Sequence, residues 1–152
     1  MSYVQRVLQP GETLVYATRL HWLIYVRAGV LLIVALVFAV LAETRTDLPL
    51  PFLTVAGAIL VLAVLDGLAA ALRRATTELA VTDHRVIYKR GIIGRYTIEM
   101  ARSKVESVDV LQSLPGRMLN YGTVLVRGTG GSLEPFRNVE DPLRFRSAIT
   151  AQ

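Results

Sequence analysis

Few residues in this chain have types and spacing suited to chemistry. His84 beside Asp83 comes nearest to a catalytic pair, but no nucleophile is placed to use it. Adjacent positions on a strand point to opposite faces, so a turn is the plainer account of that pair. Ser103, Ser107 and Ser113 have no G-x-S-x-G context. "GTGGS" at 128–132 has the glycines of a phosphate-cradling loop, but it lacks the Lys–Ser/Thr and the following helix such a loop needs. A strand-like "LEPFRN" follows, which makes a hairpin turn the expectation. The chain holds no cysteine and only two histidines, His21 and His84. No disulfide framework, metal site or other cofactor is expected, and the sequence reads as no enzyme.

What remains is charge. The formal net charge is +5, with 13 Lys and Arg against 8 Asp and Glu over residues 73–152. Such a balance suits contact with something anionic. In "RVIYKRGIIGR", a hairpin closed near Gly91–Gly94 would gather Lys89, Arg90 and Arg95 around one loop, with Ile92 and Ile93 at its tip. Near an anionic leaflet each such cation contributes roughly 1 kcal/mol. The alternative is a solvated positive rim that only orients the domain. Nucleic-acid binding is not expected, because no aromatic platform interleaves these charges.

The elements that position these residues begin with two apolar runs, 22–42 and 52–72, interrupted only by Arg27 and Asp66. Each is about 31 Å long as a helix at ~1.5 Å per residue, matching a hydrocarbon core of ~30 Å. They read as transmembrane helices joined by a short external loop, 43–51, in which Pro49 and Pro51 mark the turn and the next helix start. Arg6, Arg19, Arg73 and Arg74 flank the pair, so both termini are expected in the cytoplasm, with 1–21 a cytoplasmic N-terminal segment. No cleaved signal peptide is read at the N-terminus. Trp22, Tyr25, Arg73 and Arg74 are the expected interfacial anchors. Arg27 stands 16 residues before Glu43 and Asp66 stands 15 after Pro51, which places them at similar depth in an antiparallel hairpin. A salt bridge is expected, within one subunit or between neighbours; the alternative is that Arg27 snorkels and Asp66 faces a watery crevice or is protonated. Ala63, Gly67 and Ala71 form a small-residue stripe, as do Ala28, Ala35, Ala39 and Ala42. Such stripes serve close helix packing, in the hairpin or in an oligomer.

From Thr76 the hydrophobic period changes to two. "RYTIEM" alternates Tyr96, Ile98 and Met100 with Arg95, Thr97 and Glu99. "ELAVT", "RVIYKR", "KVESVDVL", "TVLVRG" and "SLEPFRN" read as further strands between glycines. In "DPLRFRSAIT", Asp141 suits an N-cap and Pro142 the first helical position, with Leu143, Phe145 and Ile149 as the packing side. The expected architecture is a two-helix transmembrane hairpin followed, over 75–152, by a mainly-β sandwich or barrel with one C-terminal helix, a pleckstrin-homology (PH)-like outline.

Several motifs make a family resemblance specific. Thr82, Arg85, Val86 and Gly91 fit T-x-x-R-[VI]-x-x-x-x-G. Val105, Val108, Val110, Gln112, Ser113, Gly116, Arg117, Tyr121, Gly122, Thr123 and Val124 fit a longer I-x-x-V-x-V-x-Q-S-x-x-G-R-x-x-x-Y-G-T-V pattern, with valine at 105 where isoleucine is common. Pro10-Gly11-Glu12 lies upstream, and Asp141-Pro142 precedes the last helix. On these residues, spread over nearly the whole chain, the protein resembles the membrane-anchored bacterial PH-like family of the YdbS-like type. The resemblance implies the fold and a location in the bacterial inner membrane, and little about ligand. Gly116 and Gly122 are expected to adopt backbone angles closed to other residues. Gln112, Ser113 and Arg117 are expected to tie the turn to its neighbours, with ligand contact by Arg117 as the alternative.

The function expected from all this is a non-enzymatic inner-membrane adaptor or scaffold that presents a cytoplasmic PH-like module to proteins and to anionic lipid. It would form a homo-oligomer or join a larger complex. The competing expectations are a structural accessory subunit and a transport or proton-coupled component using Arg27 and Asp66.

Overall fold

The computed structural model describes residues 3–44, 49–91, 94, 96–129 and 133–151. The chain divides into two compact units, residues 1–21 with 73–152, and residues 22–72.

In the first unit the described strands form two antiparallel sheets. One holds β1 (Leu14–Thr18), β2 (Glu78–Thr82), β3 (Arg85–Arg90) and β4 (Tyr96–Ala101) in that order. The other holds β5 (Val105–Leu111), β6 (Tyr121–Gly128) and β7 (Leu133–Glu140). The alternation in the sequence becomes the core. Leu79, Val81 and Val86 from the first sheet meet Val124, Val126, Phe136 and Val139 from the second, with Ile98 and Met100 packed alongside. A C-terminal helix (Pro142–Thr150) closes the space between the sheets by burying Pro142, Phe145 and Ile149. Phe145 packs edge-on against Phe136, ring centroids 6.5 Å apart. Arg102 donates to the carbonyls of Ile149 and Ala151 and so satisfies the end of that helix. On the outer face of the first sheet, a short helix α1 (Tyr3–Val7) lays Val4 over Ala80 and Ile87.

Three expectations change here. The β unit does not begin at residue 75. Leu14–Thr18, expected in a separate N-terminal segment, pairs with β2 as the first strand, Thr18 opposite Leu79. The chain then runs on to the second sheet. Leu20 bridges Val139, the Glu140 N–H donates to Arg19 O (3.1 Å), and the Thr18 hydroxyl donates to Glu140 O (2.8 Å). Asp141 occupies the N-cap position, but at φ 49° and ψ 62° it sits in the left-handed region and its side chain makes no capping bond. Leu143, expected on the packing face of that helix, is exposed; buried Pro142 takes its place.

In the second unit a 3₁₀ turn (Trp22–Tyr25) leads into α2 (Val26–Thr44), and α3 runs over Pro49–Thr76. Both helices are long and apolar enough to cross a membrane. Their buried residues are Ala35 and Ala42 on α2, and Ala56 and Ala63 with Ala70 on α3. That seven-residue spacing is the seam of two helices packed through small side chains. Within the expected stripe, Ala63 is buried and Gly67 faces Ala28, where an added Cβ would lie 3.5 Å from the alanine Cβ. Ala71 is only half-buried, because Ala70 holds the seam position. Bulkier side chains lie outside the seam: Ile33, Leu36, Val61, Val64 and Leu65 are all exposed.

Candidate functional site

Antiparallel order decides which groups share an end of the first sheet. Because β1 to β4 run as a meander, the β1–β2 and β3–β4 connections leave from the same end. The β1–β2 connection contains both apolar helices. The β3–β4 connection contains the expected basic loop. Lys89 lies opposite Glu78 at that end, and Arg90 lies opposite Tyr96 with its guanidinium 5.8 Å from the ring centroid. Gly91 begins the loop at φ 117°, a conformation that requires glycine. Arg95, Ile92 and Ile93 lie outside the described residues. The basic hairpin is thus the third connection of the sheet, since β1 supplies a strand that periodicity did not disclose.

At the opposite end, the β2–β3 turn holds a polar network for which the motif residues are responsible. Arg85 donates from Nε to Glu12 Oε1 (2.9 Å), from Nη2 to Glu12 Oε2 (2.8 Å) and Val7 O (2.8 Å), and from Nη1 to Glu99 (2.6 Å). The Thr82 hydroxyl donates to Glu12 Oε1 (2.7 Å) and accepts from the Arg85 and His84 N–H groups. The Glu12 side chain is only 3 % exposed. Hydrogen bonding from Arg85, with further bonds from Gln9 and Thr82, outweighs burial and holds its carboxyl down at about 2. Beside it, Asp83 accepts from the Thr13 N–H and hydroxyl, and its carboxyl is also lowered to about 2, chiefly by the hydrogen bond from His84. His84 Nδ1 lies 2.8 Å from Asp83 because the two sit in a bend, where neighbours can meet; on a strand they would diverge. These residues fasten the segment before β1 onto the sheet. Glu12 and Thr82 with Arg85 were visible as motif positions, but nothing in the sequence joined them.

The Q-S-x-x-G-R-x-x-x-Y-G-T motif builds the β5–β6 connection. Gln112 Nε2 donates to Gly116 O (3.3 Å) and Tyr121 O (3.1 Å). Ser113 N-caps a five-residue helix α4 (Leu114–Met118), accepting from the Gly116 N–H at 3.2 Å. Gly116 and Gly122 do not use positive φ; among the described glycines only Gly11 and Gly91 do. Their reason is close approach instead. A Cβ on Gly116 would lie 2.8 Å from Tyr121 O, and one on Gly122 would lie 2.8 Å from Leu111 O. A cleft of about 480 Å³ opens beside this turn, lined by Gln112, Ser113, Tyr121, Gly122 and Asn138 among others. Among the described residues no buried side-chain nitrogen or oxygen lacks a partner. The same turn leaves Leu111, Leu114, Met118 and Leu119 exposed, with exposed Arg117 among them. Sequence reading missed this patch, although the i, i+4 spacing of Leu114 and Met118 is its signal.

In the helical unit, Arg27 Nε lies 3.6 Å from Asp66 Oδ1; the aspartate side chain is 27 % exposed and the arginine 80 %. Trp22 and Arg73 are exposed, Tyr25 and Arg74 half-buried. Among the described residues, no three His, Cys, Asp or Glu groups gather to hold a metal. Gly128 and Thr129 lead from β6 towards antiparallel β7, and the rest of "GTGGS" lies outside the described residues.

The sequence pattern of the bacterial PH domain matches residues 14–152, beginning at the first residue of β1 and running through both apolar helices. No curated protein and no solved structure matches the chain.

Proposed function

The chain belongs to the bacterial PH domain family, and on that premise we propose that it is a non-enzymatic adaptor or scaffold of the membrane-anchored, YdbS-like type. In this reading its helices cross the bacterial inner membrane, both termini are cytoplasmic, and the PH-like module contacts anionic lipid through Lys89, Arg90 and Arg95 while recruiting proteins. The observation that carries it is the topology. The apolar helices interrupt the chain between two paired strands, with three residues between β1 and the first turn at Trp22 and one between α3 and β2. Such short tethers at both ends restrict the domain to the surface the helices cross. The meander adds the second part, since the basic connection leaves the sheet from the end that carries those tethers. Arg27 and Asp66 then serve to hold two helices together in lipid, where an unpaired charge costs several kcal/mol. Small-residue faces and sheet edges suit self-association or docking into a larger complex.

The test uses the full chain in neutral detergent micelles, heated with added phosphatidylglycerol or phosphatidylcholine. Phosphatidylglycerol is expected to raise the melting temperature at low salt, with the rise lost at high salt and in a Lys89→Ala, Arg90→Ala, Arg95→Ala variant. No lipid-dependent rise in the parent chain would remove lipid contact by this loop. Topology is read separately in intact cells with a membrane-impermeant thiol reagent. A cysteine at Thr46 should react from outside, and one at Ser103 only after permeabilisation.

A further inference from the structure

The β5–β6 connection displays apolar side chains that the PH-like unit does not use. Leu114 is 77 % exposed and Met118 86 %, the two most exposed large apolar residues described in that unit. They stand four apart on α4, hence on one face, and Leu111 and Leu119 flank them. A floppy loop could hide such side chains by collapse. This one is held rigid: Gln112 clasps the Gly116 and Tyr121 carbonyls, Ser113 caps the helix, and the Leu119 N–H donates to Pro115 O. An apolar patch built on a fixed frame marks an interaction surface.

Its place in the fold identifies the occupant. Tyr121, which ends the connection, stacks on His21 with ring centroids 5.2 Å apart, and the His21 N–H donates to Asn138 O at 2.8 Å. His21 is the last residue before the first apolar helical segment. The patch therefore lies at the end of the unit from which the chain departs for those helices. Cations accompany it, with Arg117 on α4 itself and Lys89 and Arg90 at the β3–β4 connection. Apolar tips with Arg117 among them, on a unit whose other basic connection carries Lys89 and Arg90, complement the acyl boundary and phosphates of an anionic leaflet.

We propose that α4 is a membrane wedge. Leu114 and Met118 insert into the headgroup–acyl boundary of the bilayer, flanked by Leu111 and Leu119, while Arg117 engages lipid phosphate. The inference rests on the reading that α2 and α3 span the membrane, and it goes beyond the basic hairpin in naming a second, apolar contact.

The chain has no cysteine, so single cysteines can be placed at will. The experiment attaches a nitroxide to Leu114→Cys, Met118→Cys, Ser103→Cys or Val61→Cys in the full chain, reconstituted in phosphatidylglycerol-containing nanodiscs. Collision with oxygen, which concentrates in lipid, is compared with collision with a water-soluble nickel chelate. All four sites are exposed, so substitution leaves the packing intact. The wedge requires oxygen-favoured collision at 114, 118 and 61 and nickel-favoured collision at 103, which lies in the β4–β5 connection at the far end. If 61 favours oxygen while 114 and 118 favour nickel, the wedge is overturned and the spanning helices stand. If 61 favours nickel, both ideas fall. If 114 and 118 are shielded from both reagents with dipolar broadening between labels, a second copy covers the patch and the lipid assignment is wrong.

Discussion

Replacing Glu12 by glutamine keeps the shape of the side chain and removes its charge. The two carboxylate oxygens now accept from Arg85 Nε, Arg85 Nη2, Thr82 Oγ1 and the Gln9 N–H, at 2.7–2.9 Å. An amide has one oxygen, so its NH₂ must face a group that also donates, and the guanidinium keeps only Glu99 as its anionic partner. Removing one partner of a buried ion pair costs about 3–5 kcal/mol; the remaining Arg85–Glu99 and Arg85–Val7 bonds argue for the lower end, about 3 kcal/mol. For a domain of this size that is a fall of about 12–24 °C in melting temperature. The assay is thermal unfolding of the full chain in micelles, followed by circular dichroism, in a cycle of Glu12→Gln, Arg85→Met and both together. The double variant should be little less stable than either single one, since each already breaks the same contact. The pH dependence has a definite sign. The Glu12 carboxyl titrates at about 2 when folded against 4.5 ordinarily. Its contribution is therefore fully present above about pH 4.5, fades as pH falls, and is gone near pH 2, where parent and Glu12→Gln should converge. Asp83 is present in both chains and cancels from the comparison. Stability of Glu12→Gln within about 0.5 kcal/mol of the parent at pH 7, or strict additivity in the cycle, would refute the reasoning.

Gly122→Ala should destabilise by about 1–3 kcal/mol, because its Cβ would meet the backbone of Leu111; Gly29→Ala, with open space around it, should not destabilise, and both are read by the same melts. Asn138 and Asp141 hold φ values of 55° and 49°, so Asn138→Ala should cost about 1–2 kcal/mol by forcing a less tolerant residue into the left-handed region. Asp66→Asn should lower helix-pair stability and any assembly on size-exclusion chromatography, without ion flux in proteoliposomes; flux present in the parent and lost in an intact variant assembly would instead support transport.

Local features are legible in the residues alone. Two apolar runs, 22–42 and 52–72, each broken by a single charge, specify two long helices, which the structure extends to 22–44 and 49–76. Period-two alternation and glycine punctuation located the six strands β2 to β7, and Pro142 located the start of the last helix. The tertiary structure decided what depends on distant chain. The strand β1 is five residues long and meets its partner only across the helical insertion, so no pattern near Leu14 announces it. Glu12 and Arg85 stand 73 residues apart and become one network because the β2–β3 turn receives the segment preceding β1. Gly116 and Gly122 are required by backbones that approach them, a reason absent from their own dihedral preferences. On the five-residue α4 there is too little periodicity to tell a buried leucine from an exposed one. Local pattern says which side of an element is apolar; only the folded chain says whether another segment arrives to cover it. At Leu79 and Phe145 one does, and at Leu114 and Met118 none of the described residues does.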